Sequence, residues 1–98
     1  RRVVMPFEFE VSSESGALQS FCEKMSEMLN ADERTVNEQS SWVKILSMGS
    51  SSIIVQANFY TQQSSDVQRA MSEDALVEAK KFADTLGLEF HEPRLRRS

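Results

Sequence analysis

Ninety-eight residues are enough to enclose one hydrophobic core and too few for two. The formal net charge of −4, from 15 acidic and 11 basic side chains, excludes an electrostatic grip on nucleic-acid phosphates, which needs clustered Lys and Arg. Cys22 is the one cysteine, so no intrachain disulfide can form and the chain suits a reducing compartment; no apolar run approaches the roughly 18 to 20 residues that span a bilayer.

The chain opens RRVVMP, without an initiator methionine and without the apolar core and small-residue cleavage site of a signal peptide. It is read as a piece of a longer protein. In VVMPFEFEV, Met5, Phe7, Phe9 and Val11 alternate with Val4, Pro6, Glu8 and Glu10, which predicts a strand with one wet face. Pro6 has no amide hydrogen to donate, so it marks an edge position or a bulge. SSESG then breaks the alternation and offers several N-cap serines. From Ala17 the period lengthens. Leu18, Phe21, Cys22, Met25, Met28 and Leu29 share one helical face, with Gln19, Glu23, Lys24 and Glu27 opposite.

The polar run NADERTVNEQS ends that helix, and the second strand is expected to begin near Val36 to Gln39. SSWVKILSM alternates Trp42, Lys44, Leu46 and Met48 against Val43 and Ile45. Gly49, Ser50 and Ser51 can reverse the chain. The third strand then sets Ile53, Val55, Ala57 and Phe59 on one face and Ser52, Gln56, Asn58 and Tyr60 on the other. Ser65 with Gln68 has the form of a capping box, and Asp66 sits where the helix dipole favours an acid. Val67, Met71, Ala75, Ala79, Phe82, Ala83 and Leu86 fit one continuous helix, with Lys80 and Lys81 in its C-terminal half. Gly87 is placed for a left-handed cap with Leu88 packing back. LEFHE reads as a short fourth strand halted by Pro93. The expected fold is α+β, a ferredoxin-like βαββαβ sandwich with two helices on one face of a four-stranded antiparallel sheet. Residues 1–92 form that domain and 93–98 a truncated basic tail.

A search for chemistry gives no catalytic, cofactor-binding or metal-ligating residues. Cys22, at helical spacing among apolar neighbours, reads as a small core hydrophobe. His91 is the single histidine and has no second histidine at i+4, so a strand-end role fits better than metal ligation. The serines sit at turns and caps with no histidine beside them, and the three glycines are isolated. RNA-recognition domains share this element order and stack bases on aromatics of the open sheet face. Here that face would carry Gln56, Asn58 and Tyr60 beside Glu8 and Glu10, whose carboxylates repel phosphate. Trp42 reads as either a core-edge or an interface residue. The expectation is a protein that is not an enzyme, carries no cofactor and binds no nucleic acid.

Four stretches, taken in order, resemble the cytoplasmic C-terminal α/β domain of small-conductance mechanosensitive (MscS-like) ion channels. LSMGSSSIIVQANFY resembles the family's hairpin, with Gly49, Ser51, Ser52, Ile53 and Tyr60 on the pattern. RRVVMPFEFEV resembles the strand that follows the channel's β-domain behind a paired Arg. SSDVQRAMSEDALVEAKKFADTLGLEF resembles the second helix with its Asp-x-Gln opening and its closing Gly-Leu-x-Phe. HEPRL stands where the family has an aromatic-Pro dipeptide, with Glu92 in the aromatic's place and a short, basic strand after it. The resemblance implies a homo-oligomer, typically a heptamer, whose domains form a solute-filtering cage beneath the pore. The parent would sit in the cell membrane through parts absent here, with this domain on the cytoplasmic side and no catalytic residue. The alternatives are a dimerising regulatory module of a cation transporter and a small enzyme of acylphosphatase type; the latter would need an Arg and an Asn poised at a phosphate loop.

Overall fold

In the computed structural model the described residues are 2–36 and 41–91. Their elements run β1 (Arg2–Glu10), α1 (Ser15–Ala31), β2 (Trp42–Met48), β3 (Ser52–Tyr60) and α2 (Ser65–Leu86). The two-residue periods set the core. Val3, Met5, Phe7 and Phe9 of β1 and Ile53, Val55, Ala57 and Phe59 of β3 are all buried in one cluster with the helices. Their register is continuous from Arg2↔Tyr60 to Glu10↔Ser52. A slip of one residue would turn both sets outward together. Val11, expected to extend the apolar face, lies beyond β1 in the turn toward α1 and is exposed.

The sheet order is β1-β3-β2, antiparallel throughout, so β3 is the central strand. Among the described residues the sheet has three strands, where four were expected. Leu88 to His91 contribute only an isolated bridge, Phe9↔Phe90, held by Glu10 N–H to the Glu89 carbonyl at 2.9 Å and His91 N–H to the Glu8 carbonyl at 2.8 Å. The next outward-facing position along β1 is Pro6, which has no N–H to extend that ladder. Pro93, expected to halt the strand, and the tail of residues 93–98 lie outside the described residues. Phe90 nevertheless stacks on Phe9 at 4.7 Å between ring centroids, and Phe9 meets Phe21 of α1 edge-on at 5.0 Å.

β2 begins at Trp42, later than the expected Val36 to Gln39; residues 37–40 lie outside the described set. Before it, Thr35 bridges Thr61, and Val36 N–H donates to the Tyr60 carbonyl at 2.8 Å. Side chains of α1 tie down the start of β2: Ser26 Oγ accepts from Val43 N–H at 3.1 Å, and Asn30 both donates to and accepts from the Ser41 backbone. A bulge between Ile45 and Ser47 interrupts the strand's alternation, and Leu46, Ser47 and Met48 are all exposed. The hairpin closes with Gly49 N–H donating to the Ser52 carbonyl at 2.8 Å.

Both helix starts differ from expectation by local chemistry. α1 is capped by Glu14, whose Oε1 accepts from Ala17 N–H at 3.2 Å, in place of a serine. A carboxylate here also complements the positive end of the helix dipole. α2 is capped by Ser64, one residue before the expected Ser65; its Oγ accepts from Val67 N–H at 3.3 Å. The end of α2 follows expectation. Gly87 takes φ 74° and ψ 22°, Leu88 N–H returns to the Ala83 carbonyl at 2.8 Å, and the Leu88 side chain is buried. Met71, Ala75, Ala79 and Ala83 form the buried stripe of α2.

Candidate interaction surface

The helices cover one face of the sheet and leave the other open. The open face follows from the same alternation that builds the core: Val4, Pro6 and Glu8 from β1, Ile54, Gln56 and Asn58 from β3, and Trp42 and Lys44 from β2. Cross-strand pairing sets Val4, Asn58 and Trp42 in one row and Pro6, Gln56 and Lys44 in the next. Trp42 is half-buried on this face, with the Lys44 ammonium 5.1 Å from its ring centroid. It is therefore part of the open face rather than of the central core. Glu8 accepts a hydrogen bond from Ser52 Oγ at 2.9 Å.

Asn58 departs from the expected wet position. It lies on the open face yet has no exposed surface, flanked by Val4 and Trp42, and its Oδ1 accepts from Arg2 Nε at 2.6 Å. Its Nδ2 has no hydrogen-bond partner among the described residues. Period-2 reading assigns the face correctly, but burial on an outer face depends on neighbouring strands, which a single strand's sequence does not show.

The other candidates fall apart from one another. His91 Nδ1 lies 3.2 Å from Glu10 Oε2 and pins the segment after α2 to the end of β1. Cys22 is half-buried on α1; burial, and then the Glu23 charge, push its thiol pKa up, which keeps it protonated and a poor nucleophile. Gln56 and Tyr60 are half-buried on the open face and Glu8 is exposed. Among the described residues no group of three or more His, Cys, Asp and Glu side chains could hold a metal ion.

A surface cleft of about 580 Å³ opens where α1 ends beside the start of α2, lined by Ala31, Asp32, Glu33, Arg34, Gln62 and Val67. Its one cation is already engaged. Arg34 Nη2 contacts Asp32 Oδ2 at 2.7 Å and Asp74 Oδ2 at 3.0 Å, which raises the guanidinium pKa and ties the helices together. The hydrogen bond from Arg34 in turn holds the Asp32 carboxyl below the usual carboxylate range. This clip is a structural fastening. The nearby Asp32-x-Arg34 spacing hints at it in sequence, but Asp74, forty residues away, gives no such signal.

No protein-family model and no curated protein sequence matches the chain. Solved structures do. MSL1 of Arabidopsis thaliana superposes with a TM-score of 0.82 at 11% identity, over 94% of this chain and 34% of its own. A second, wild-type MSL1 structure gives 0.81 over 94% and 32%. MscS of Helicobacter pylori in its closed state gives 0.71 at 15% identity, over 100% of this chain and 37% of its own. The fold is thus one that MscS-like channels carry, and the chain spans about a third of their length. These neighbours are ion channels rather than enzymes, and no helix among the described residues is long and apolar enough to cross a membrane.

Proposed function

We propose that this chain is the cytoplasmic cage domain of an MscS-like mechanosensitive channel, assembling with other copies of its parent subunit and filtering solutes beneath the pore. The observation that carries the reading is the fold match to MSL1 and MscS over nearly the whole chain. The ordered motifs support it from a separate direction: the Gly49-to-Tyr60 hairpin and the helix ending in Gly87-Leu88-x-Phe90. The bridge between Phe9 and Phe90 supports the ferredoxin-like arrangement within it. The domain's work is to enclose, exclude and assemble, without a catalytic centre. Its excess of carboxylates biases the ions that dwell near the cage, a field effect that salt screens.

The parent supplies the membrane-spanning part, and a heptamer is the expected ring. Expression of the full parent in bacteria stripped of their own mechanosensitive channels tests the function. Cells carrying it should survive a sudden drop in external osmolarity. Survival no better than that of empty cells, with the parent present in the membrane, would count against the reading.

A further inference from the structure

Positive charge is unevenly placed on this chain, whose net charge is −4. Arg34, Arg69, Lys80 and Lys81 each pair with a carboxylate. Among the described residues Arg2, Lys24 and Lys44 have no such partner, and two of these three, Arg2 and Lys44, stand on the open sheet face. The acids of that face, Glu8 and Glu10, lie at its far end, with Glu10 against His91.

Arg2 is held in place by a buried side chain. Asn58, with no exposed surface, accepts from Arg2 Nε at 2.6 Å. A guanidinium has five N–H donors, so fixing Nε leaves the four on its two Nη atoms, which have no hydrogen-bond partner among the described residues. That outer edge is one that grips a carboxylate with two parallel bonds. Asn58 is itself left with a buried Nδ2 donor and no acceptor for it, so both side chains are short of acceptors. The register puts Asn58 midway between the two cations: Arg2 pairs with Tyr60 one row before it, and Lys44 with Gln56 one row after. Two strand spacings and two two-residue steps separate Arg2 from Lys44, about 16 Å. Half-buried Trp42 and Tyr60 border this diagonal.

We propose that the diagonal from Arg2 over Asn58 to Lys44 binds an acidic protein segment, with one carboxylate on Arg2 and a second on Lys44. Asn58 is a positioning residue that holds the guanidinium. The spacing decides the class of partner. Phosphate backbones and anionic lipid surfaces are bound by clustered cations. Two cations about 16 Å apart, with amide and aromatic side chains between them, match separate carboxylates on a peptide. Glu8 and Glu10 on the same face add repulsion against an extended polyanion. The site belongs to this chain's own surface and does not depend on the channel reading.

Trp42 is the single tryptophan and pairs with Asn58 across the strands, so its emission reports the site. Hexaglutamate titrated into the chain at low salt should change that emission saturably, with a matching heat of binding in calorimetry. Arg2→Gln, at an exposed position, should keep the fold and weaken binding about tenfold or more. Arg2→Lys keeps the charge but loses the planar fork, and should recover only part of that loss. Asn58→Asp gives Arg2 an internal carboxylate, and should weaken binding with the circular dichroism unchanged. No binding by either measurement, or unaltered affinity in Arg2→Gln, would overturn the proposal and leave the channel reading standing. Equal affinity for hexathymidylate or for phosphatidylglycerol vesicles would also overturn it, by showing a general anion surface. An equal response to acetate at the same carboxylate concentration would overturn it in favour of small organic acids. Folded Asn58→Asp that binds as tightly as the unaltered chain would contradict the positioning role.

Discussion

Replacing Gly87 with valine should destabilise the domain through its backbone alone. Gly87 sits at φ 74°, and a Cβ built there would meet nothing within 4 Å, so no steric clash confuses the result. An L-residue in the left-handed region costs about 1 to 2 kcal/mol, and a β-branched one lies at the upper end. Against this, a residue stiffer than glycine loses less entropy on folding, worth about 0.4 to 1 kcal/mol. The net cost of Gly87→Val is therefore about 1 kcal/mol or more, with Gly87→Ala smaller and Gly87→Asn smallest. A change of 1 kcal/mol moves the melting temperature of a domain this size by about 4 to 8 °C. Thermal unfolding followed by circular dichroism reads the series directly. Equal melting temperatures for Gly87 and its valine variant would refute the claim that the Gly87 cap, with Leu88 N–H returned to Ala83, fixes how α2 hands the chain to Phe90.

Phe59 is fully buried on the central strand, so Phe59→Ala should cost about 3 to 5 kcal/mol in chemical denaturation; a cost below about 1 kcal/mol would contradict its burial. Ser64→Ala should cost about 1 kcal/mol and Ser65→Ala less than half of that, since Ser64 holds the Val67 amide; the reverse order would move the cap back to Ser65. Asp32 has its carboxyl pKa lowered in the fold by the Arg34 hydrogen bond. Its contribution is therefore complete above the unfolded value, about pH 4, and is lost as pH falls through the lower folded value. Asp32→Asn should cost about 1 kcal/mol near neutral pH and progressively less below about pH 4; a penalty that does not shrink in acid would rule out the charged pair as its source.

The parts of the fold legible in the sequence are those where one element decides its own environment. β1 and β3 announce their buried faces because Phe7, Phe9, Val55 and Phe59 alternate against polar residues, and α2 announces its end because only glycine fits a left-handed cap easily. What was not legible depends on partners distant in the chain. Val11 continues the alternation on paper but stands past the last pairing with β3. Among the described residues the fourth strand is a single bridge to Phe9, a pairing between positions more than eighty residues apart. Asn58 is buried by Val4 and Trp42 from either side, and the Arg34 fastening needs Asp74 from the other helix. The open sheet face was legible only in pieces. Trp42 could be named as an interface candidate, whereas its place beside buried Asn58 needed the register of β2 on β3.

The central claim is that this domain belongs to a channel opened by membrane tension. Patch-clamp recording from liposomes containing the purified full parent tests it most directly. Stepwise suction on the patch should switch on single-channel currents that close when the suction is released, and that are absent from protein-free liposomes. Quiet patches up to the pressure at which the membrane ruptures, with the parent's incorporation verified in the same liposomes, would contradict it.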